Sequence, residues 1–307
     1  MQENPPLIRR LSRLLLTGVI WFAAGQAAAA TALAASASGP AKGLLWEIKS
    51  AGNTAYLFGS IHLAKADFYP LPAAVEAAYL QSDTLAVEID ATDTVASAKA
   101  MPMLSYAAPD NLKKHVSKAT WSSLQAVAGE TVTQFQMYKP AMVATGLAIS
   151  AFSRQGYDPV YGIDLHFIAR AKNDRKKLVE LESIAFQAGV LGGLSDKDGD
   201  ALLRQTLDGF RNGEMQRETE AMIETWKAGD AEALAQLLRD AANKDAGSKK
   251  IMKLLLDDRN IGMAKKITAM LESGSKLFVV VGAGHIAGIN SITDILQKQG
   301  LQLRQIK

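Results

Sequence analysis

Short apolar runs near both ends of the chain predict β-strands, and helical periodicity fills the region between them. Two apolar-rich segments, 44–49 and 54–58, lie on either side of the turn-forming residues Ser50-Ala51-Gly52-Asn53 and predict a β-hairpin. Further strands are predicted at residues 84–89, 177–181, 276–281 and 301–306, the last with the alternating pattern of an edge strand. The sheet is therefore expected to combine segments from both ends of the chain.

Helices are predicted in most of the chain between these strands. Residues 71–80 and 290–299 have helical patterns, and the run at 140–152 is apolar nearly all round but too short to span a bilayer, which indicates a buried helix. The whole pattern predicts the α/β fold class: a central, mostly parallel sheet with flanking helices, an N-terminal hairpin and a long helical insertion. The insertion covers roughly residues 96–273 and is interrupted by a core strand near 177–182.

The first 37 residues have the pattern of a secretory signal peptide. Three arginines within the first 13 residues precede an uncharged, mostly apolar stretch, and small-residue cleavage sites follow, the second at Ala35-Ser36-Ala37. An uncleaved anchor is the alternative, because residues 14–35 carry no charge, but their alanine-rich second half favours cleavage. We therefore expect Sec-dependent export, a periplasmic location, no stable membrane span after cleavage, and one α/β domain over residues 38–307.

Composition narrows the chemistry of this domain. The formal net charge is only +3 and no basic run stands out, so no nucleic-acid partner is expected. The chain contains no cysteine, which removes disulfides, thiol nucleophiles and zinc–cysteine sites from consideration. An oxidising compartment remains compatible with this composition, because a chain of this size has enough core without disulfides.

Two of the four histidines occur in the same local context. Each follows a predicted strand, a glycine and two further residues, in Gly59-Ser60-Ile61-His62 and in Gly282-Ala283-Gly284-His285. Because the carboxyl ends of parallel strands open into one crevice, His62 and His285 are expected to meet in space. The other two histidines lack this context: His115 is interpreted as part of a solvated helix face, and His166 as a packing or surface residue.

The second of these motifs also fits a dinucleotide-binding fingerprint, G-x-G-x-x-A. That fingerprint requires an acidic residue about 20 positions further on. The last acidic residue of the chain is Asp294, only ten positions after Gly284, so the dinucleotide interpretation fails. We interpret Gly282 instead as the residue that lets the chain leave the strand, through φ > 0 or a close backbone approach.

Two glutamates at the ends of predicted strands complete a candidate metal site. Glu88 lies at the end of the strand at 84–89, and Glu182 follows the strand at 177–181. Two imidazoles and one or two carboxylates form a typical ligand set for a divalent metal ion. The structural alternative is that these glutamates cap helices or pair with arginine. Arg259 is either a surface residue or, if it faces the cleft, a ligand for a substrate carboxylate or an oxyanion.

An ordered set of short motifs runs along nearly the whole domain. They are Tyr56-Leu57-Phe58-Gly59-Ser60-Ile61-His62, Tyr69-Pro70-Leu71-Pro72, Val87-Glu88-Ile89-Asp90, Leu181-Glu182-Ser183 with Gln187, Arg259-Asn260 and Gly282-Ala283-Gly284-His285. Together they resemble the TraB/GumN family, which is related to the Tiki metalloproteases and, more widely, to erythromycin esterases and the haem-binding protein ChaN. The chain departs from the family pattern at Ser60, where threonine is common, and at Glu180, where glycine is common.

The resemblance implies metal-dependent hydrolysis with a divalent ion, manganese, cobalt or zinc. His62 and His285 match the two motif histidines, and Glu88 matches the glutamate that follows the second core strand. By analogy these three bind the metal or act as acid and base. Glu182 is carried over as a further metal ligand and Arg259 as a catalytic residue.

We therefore predict a periplasmic metal-dependent hydrolase of the peptidase type, acting on a peptide or protein substrate in the cell envelope. His62, His285 and a glutamate hold the ion, and Glu88 either ligates it or acts as general base. One alternative is a non-catalytic envelope protein of the same fold that binds haem, a metal or another ligand. Another is an interaction protein that has lost catalysis, since a shared fold does not fix the chemistry.

Overall fold

A computed structural model of the chain describes residues 43–50 and 52–306. The predicted signal peptide at residues 1–37 lies outside the described residues, as does the start of the predicted domain up to residue 42. No helix in the described part is both long and apolar enough to cross a lipid bilayer. Export, cleavage and the periplasmic location therefore stay predictions.

The described residues contain one sheet with strands from both ends of the chain. The strands are β1 (Leu44–Ser50), β2 (Asn53–Ser60), β3 (Thr84–Val87), β4 (Lys177–Glu180), β5 (Leu277–Gly282) and β6 (Gln302–Ile306), in the spatial order β4-β3-β5-β2-β1-β6. Neighbours from β4 to β2 pair in parallel, whereas β1 pairs antiparallel with both β2 and β6. The predicted α/β class, the mostly parallel sheet, the hairpin and the edge strand are confirmed.

The burial of each strand explains its sequence pattern. Every residue of β5 is buried, because the strand lies in the middle of the sheet, and its sequence is accordingly a continuous apolar run. The edge strand β6 has no buried residue and alternates between exposed and half-exposed positions. Because β3 and β2 lie on either side of β5 and run parallel to it, the carboxyl ends of all three strands lie on the same side of the sheet.

Thirteen α-helices occur among the described residues: one lies before β3, eleven lie between β3 and β5, and one follows β5. They are α1 (Ala73–Gln81), α2 (Thr94–Ala100), α3 (Lys118–Ala128), α4 (Val132–Phe135), α5 (Pro140–Arg154), α6 (Ile163–Asn173), α7 (Ile184–Gly192), α8 (Asp196–Asn212), α9 (Glu214–Ala228), α10 (Ala231–Ala242), α11 (Ala246–Met252), α12 (Asp258–Glu272) and α13 (Ile292–Lys298). The buried helix predicted at 140–152 corresponds to α5. Between α11 and α12 the backbone passes through a π-helix, Lys253–Asp257, without leaving the helical conformation.

Aromatic side chains join the helices to the sheet beneath the first histidine motif. Phe58 on β2 packs against Phe278 on β5 and against Phe167 on α6, with ring centroids 6.2 Å apart in both pairs. Trp226, from α9, also packs on Phe58 and donates its indole N–H to the Gly59 carbonyl at 2.7 Å. The helical insertion is thereby fixed to the strand that leads to His62.

Candidate functional site

The carboxyl ends of β2, β3 and β5 bring both motif histidines and Glu88 to one place. Ser60 on β2 pairs with Gly282 on β5. His62 lies two residues beyond this pair, and His285 ends a single turn of 3₁₀-helix that follows β5. Glu88 directly follows β3, on the other side of β5. The expectation that the two histidines meet across the sheet is therefore supported by the register of the strands.

The missing side chain of Gly282 marks the point at which these groups meet. A Cβ atom built there would lie 3.2 Å from His62 Nε2, 3.3 Å from Glu88 Oε1 and 3.6 Å from His285 Cδ2. Gly282 has φ −51°, which any residue adopts. Gly59 likewise lies outside the left-handed region, and a Cβ there would be 2.5 Å from Ile286 Cδ1. Both motif glycines are thus required for close approach and not for a positive φ.

His62 is oriented by a buried carboxylate. Its Nδ1 lies 2.8 Å from Asp164 Oδ2, and the other oxygen of Asp164 accepts a hydrogen bond from the Ser60 hydroxyl at 2.7 Å. Desolvation lowers the pKa of His62, but the Asp164 carboxylate outweighs this effect and raises the pKa to about 9. With Nδ1 held in this way, Nε2 is directed to the space beside Gly282.

His285 is oriented by an amide instead of a carboxylate. Its Nδ1 lies 2.6 Å from Asn260 Oδ1, and the Asn260 amide donates to the Asn290 carbonyl at 2.9 Å. That second bond fixes which way the amide faces, so Nδ1 of His285 is the donor. The ring is 4% exposed, and burial lowers its pKa. A neutral imidazole results, with Nε2 placed 3.7 Å from Glu88 Oε1.

Glu88 is held by three donors and is joined to Glu182 through Arg259. Its Oε1 accepts a hydrogen bond from the Gly282 amide at 2.7 Å, and its Oε2 accepts from Arg259 Nη2 at 2.6 Å. Arg259 also donates Nε and Nη2 to Glu182, and Gln187 donates to both glutamates. Burial would raise the pKa of Glu88, but the surrounding histidines, Arg259 and the amide lower it to about 2.

Arg259 is placed by the π-helix that precedes it. Its Nη1 donates to the Leu255 carbonyl at 3.0 Å, within that π-helix. Both Glu182 oxygens accept from Arg259, and the two side chains are only 5% and 13% exposed. The roles predicted for Arg259 at a substrate and for Glu182 as a metal ligand stay predictions. Glu180, the carboxylate that departs from the family pattern, accepts a hydrogen bond from the backbone amide of Asp90 at 2.7 Å.

The similarity to known proteins extends over most of the described residues. The sequence profile of the TraB/PrgY/gumN family matches residues 44–305, from the first strand into the last. The chain belongs to the TraB/PrgY/gumN family. It is 27% identical over 245 residues to the uncharacterized protein YbaP of Escherichia coli (strain K12), which covers 79% of this chain and 87% of YbaP. It is 24% identical to the metalloprotease TIKI1 of Homo sapiens, in an alignment that covers 84% of this chain and 61% of TIKI1. No solved structure matches the chain.

The donor types at this TraB/PrgY/gumN site suit a divalent ion. Both histidines direct Nε2 to the site while Nδ1 is held by Asp164 or Asn260, which is how metal-binding histidines are oriented. Ligand atoms on a tetrahedral ion with bonds of about 2.1 Å lie about 3.4 Å apart, close to the 3.7 Å between His285 and Glu88. Among the described residues, no three His, Cys, Asp or Glu side chains lie close enough together to hold one ion.

The remaining histidines lie outside this site. His115 was predicted on a solvated helix face, and that prediction is wrong. Its ring stacks on Tyr106, with centroids 4.2 Å apart, and its nitrogens contact Asp110 and Asp196. His166 is half-buried and packs against aromatic rings on two sides.

Two residues that orient the histidines escaped the sequence patterns. Asp164 lies in the first turn of α6 and is 102 positions from His62, so no periodicity or spacing links the two. Asn260 belongs to the Arg259-Asn260 motif, but no spacing links it to His285, 25 positions further on. The only sequence signal for a role of Asn260 is that this polar residue stands beside Arg259 in a helix whose other face is apolar. Both side chains are polar and buried, which is uncommon unless they are hydrogen-bonded.

Proposed function

We propose that this chain is a metal-dependent hydrolase of peptide bonds, with a divalent ion held by His62, His285 and Glu88. The observation that carries this proposal is the convergence of His62 Nε2 and Glu88 Oε1 within 3.3 Å of the point beside Gly282, next to the His285 ring. Buried ionisable groups at the carboxyl ends of parallel strands are costly to assemble and are typical of functional sites. The family, and the similarity to a protein named a metalloprotease, support the hydrolase class.

The ion itself would supply Lewis-acid chemistry. Manganese, cobalt and zinc suit imidazole and carboxylate ligands, and such an ion lowers the pKa of a bound water and polarises a carbonyl. The residues of the chain supply orientation and charge. Asp164 and Asn260 hold the two imidazoles with Nε2 towards the site. His62, whose pKa is about 9, carries a proton at neutral pH and must lose it before it can ligate.

The pKa of Glu88 indicates how it would act. A general base works best when its pKa lies near the operating pH. Glu88 has a pKa of about 2, so it stays ionised at neutral pH and accepts protons poorly. We therefore assign Glu88 as a ligand and not as the base. In this proposal Glu88 is the third donor beside the two imidazoles.

Arg259 and Gln187 act through Glu88 in this scheme. They donate to Glu88 Oε2, and so fix the carboxylate with Oε1 on the side of Gly282. Glu182 completes the pairing by accepting two N–H groups of the guanidinium. Because these contacts reach the reacting centre only through Glu88, the three residues are positioning residues. Their effect should be visible in metal affinity before it is visible in turnover.

The test is elemental analysis beside a hydrolysis assay. The purified protein is loaded separately with manganese, cobalt and zinc, and digestion of a peptide library is measured with chelator and after the ion is restored. His62→Ala is the better histidine variant, because the His62 side chain is 41% exposed and that of His285 is only 5% exposed. His115→Ala is the matched control, since it removes a histidine held by two aspartates away from the site.

We expect the wild-type protein and the His115→Ala variant to bind metal and to cleave peptides, and the His62→Ala variant to do neither. Full metal content and activity in His62→Ala would overturn the proposal. Titration with haem distinguishes the alternative. A Soret band together with no hydrolysis would identify a carrier instead of an enzyme.

A further inference from the structure

A cavity of about 400 Å³ lies between the helical insertion and the loop that follows His62. It is lined by Lys65, by the end of α5 and the turn after it, and by the segment that joins α8 to α9. Lys65 is three residues after His62, so their Cα atoms are at most about 11 Å apart. The volume lies within the range of small-ligand pockets, about 300–1,000 Å³. The loop that carries His62 therefore also contributes Lys65 to the cavity, which is large enough to hold part of a substrate.

Two cations line this cavity, each over an aromatic ring. Lys65 Nζ lies 4.2 Å from the centroid of the Tyr157 ring, and Arg154 Cζ lies 4.3 Å from that of Phe210. Within the described residues, neither cation forms an ion pair with a carboxylate. Arg154 is exposed, although partial desolvation still lowers its pKa, as expected for a guanidinium without a counter-charge. Arg259 shows the contrast, because its buried guanidinium is matched by two carboxylates.

The remaining polar groups restrict the ligand. Glu220 also lines the cavity, and its carboxylate is held by the Gln216 amide at 2.9 Å. Two cations and one carboxylate complement a group with one negative charge that has N–H donors beside it. A peptide carboxylate has this pattern, whereas a phosphate dianion would be repelled by Glu220. The rings of Tyr157 and Phe210 add apolar contact area.

We propose that this cavity binds a carboxylate of the peptide substrate, with Lys65 and Arg154 as its ligands and Glu220 facing neighbouring N–H groups. The proposal rests on the hydrolase function proposed above. It names a substrate class, peptides that carry a carboxylate. The carboxylate is either the C-terminus of the peptide or an acidic side chain, and both present the same group to the two cations.

The experiment measures binding by fluorescence anisotropy in the presence of chelator, so that no metal-dependent turnover takes place. Three dye-labelled octapeptides of otherwise equal sequence are compared: one with a free C-terminal carboxylate, one amidated with an internal glutamate, and one amidated and neutral. We expect one of the carboxylate peptides to bind about tenfold more tightly than the neutral peptide, because a charge-assisted pair contributes on that order. Whichever binds more tightly identifies the source of the carboxylate.

Variants decide whether the cavity is responsible. The double variant Lys65→Gln/Arg154→Gln should lose the preference, while Arg154→Lys, which keeps the charge, should retain most of it. Lys113→Gln is the matched control, because Lys113 also lies over a ring, that of Trp121, and does not line the cavity. An equal affinity for all three peptides, or a preference that survives in the double variant, would overturn the assignment. So would displacement of the peptide by inorganic phosphate at lower concentration than by acetate.

The two proposals fail in different ways. A carboxylate preference without any hydrolysis after metal is restored would overturn the hydrolase function and leave a carboxylate-binding cavity. Hydrolysis without a carboxylate preference would overturn the cavity assignment alone.

Discussion

Gly282→Ala is the sharpest perturbation that the site offers. The new methyl group would lie 3.2 Å from His62 Nε2 and 3.3 Å from Glu88 Oε1, so both neighbours must move by a few tenths of an ångström. The backbone accepts alanine, because φ is −51°. Overpacking costs about 1–3 kcal/mol, and the lower entropy of the unfolded alanine chain offsets about 0.4–1 kcal/mol of this. The free energy of unfolding should therefore fall by no more than about 2.6 kcal/mol.

Metal binding should respond much more strongly than stability. Displacing groups that orient a bound ion typically costs about 10- to 100-fold in affinity. A titration with cobalt, followed by visible absorption, measures this loss directly, and urea denaturation measures the change in stability. The expected result is a folded protein with at least about tenfold weaker cobalt binding.

Gly284→Ala is the control, because it adds the same methyl group two residues away. A Cβ there would lie 3.5 Å from Leu256 Cδ2, which is ordinary van der Waals contact. This variant should bind cobalt as the wild type does. Wild-type affinity in Gly282→Ala would refute the reasoning, since a ligand set centred beside Gly282 cannot tolerate the added methyl group unchanged.

Three further predictions concern stability, two at the scaffold of the site and one at His115, which lies outside it. Trp226→Phe removes the buried hydrogen bond to the Gly59 carbonyl and should lower the free energy of unfolding, measured by urea denaturation, by about 1–3 kcal/mol. Arg259→Gln leaves two buried carboxylates without their cation and should cost about 3–5 kcal/mol, whereas Arg304→Gln, at an exposed pair, should cost less than about 1 kcal/mol. Desolvation lowers the pKa of His115, but its two aspartate partners outweigh this and raise it. His115 therefore stabilises the fold below its unfolded pKa of about 6.5 and loses this effect as the pH rises through its folded pKa, so His115→Gln should be more destabilising at about pH 6 than at about pH 9.

The strands near the site could be predicted because their patterns are local. The run Leu277–Gly282 is apolar at almost every position, as expected for a strand covered on both faces, and the structure places it at the centre of the sheet. The two G-x-x-H motifs follow directly from such strands. Their histidines could be expected at one edge of the sheet because parallel strands end on the same side.

The groups that orient these histidines could not be predicted in the same way. Asp164 has no spacing relation to His62, and only the packing of α6 beside the end of β2 brings them together. The π-helix before Arg259 gives no signal in the sequence, although its backbone places the guanidinium between two carboxylates. The wrong prediction for His115 has partly the same origin, because its partner Asp196 is 81 positions away, although its other partner Asp110 is only five positions away.

The sequence by itself determined the α/β class and the strands, and it supplied the candidate histidines and glutamates of the site. These features depend on side-chain periodicity and on short motifs, and both are properties of neighbouring residues. Only the tertiary structure decided that Gly282 leaves room for the meeting of His62 and Glu88, that Arg259 binds two carboxylates, and that Lys65 faces a cavity. Contacts between distant segments depend on how the helices pack on the sheet, and this packing is settled only when the whole core forms.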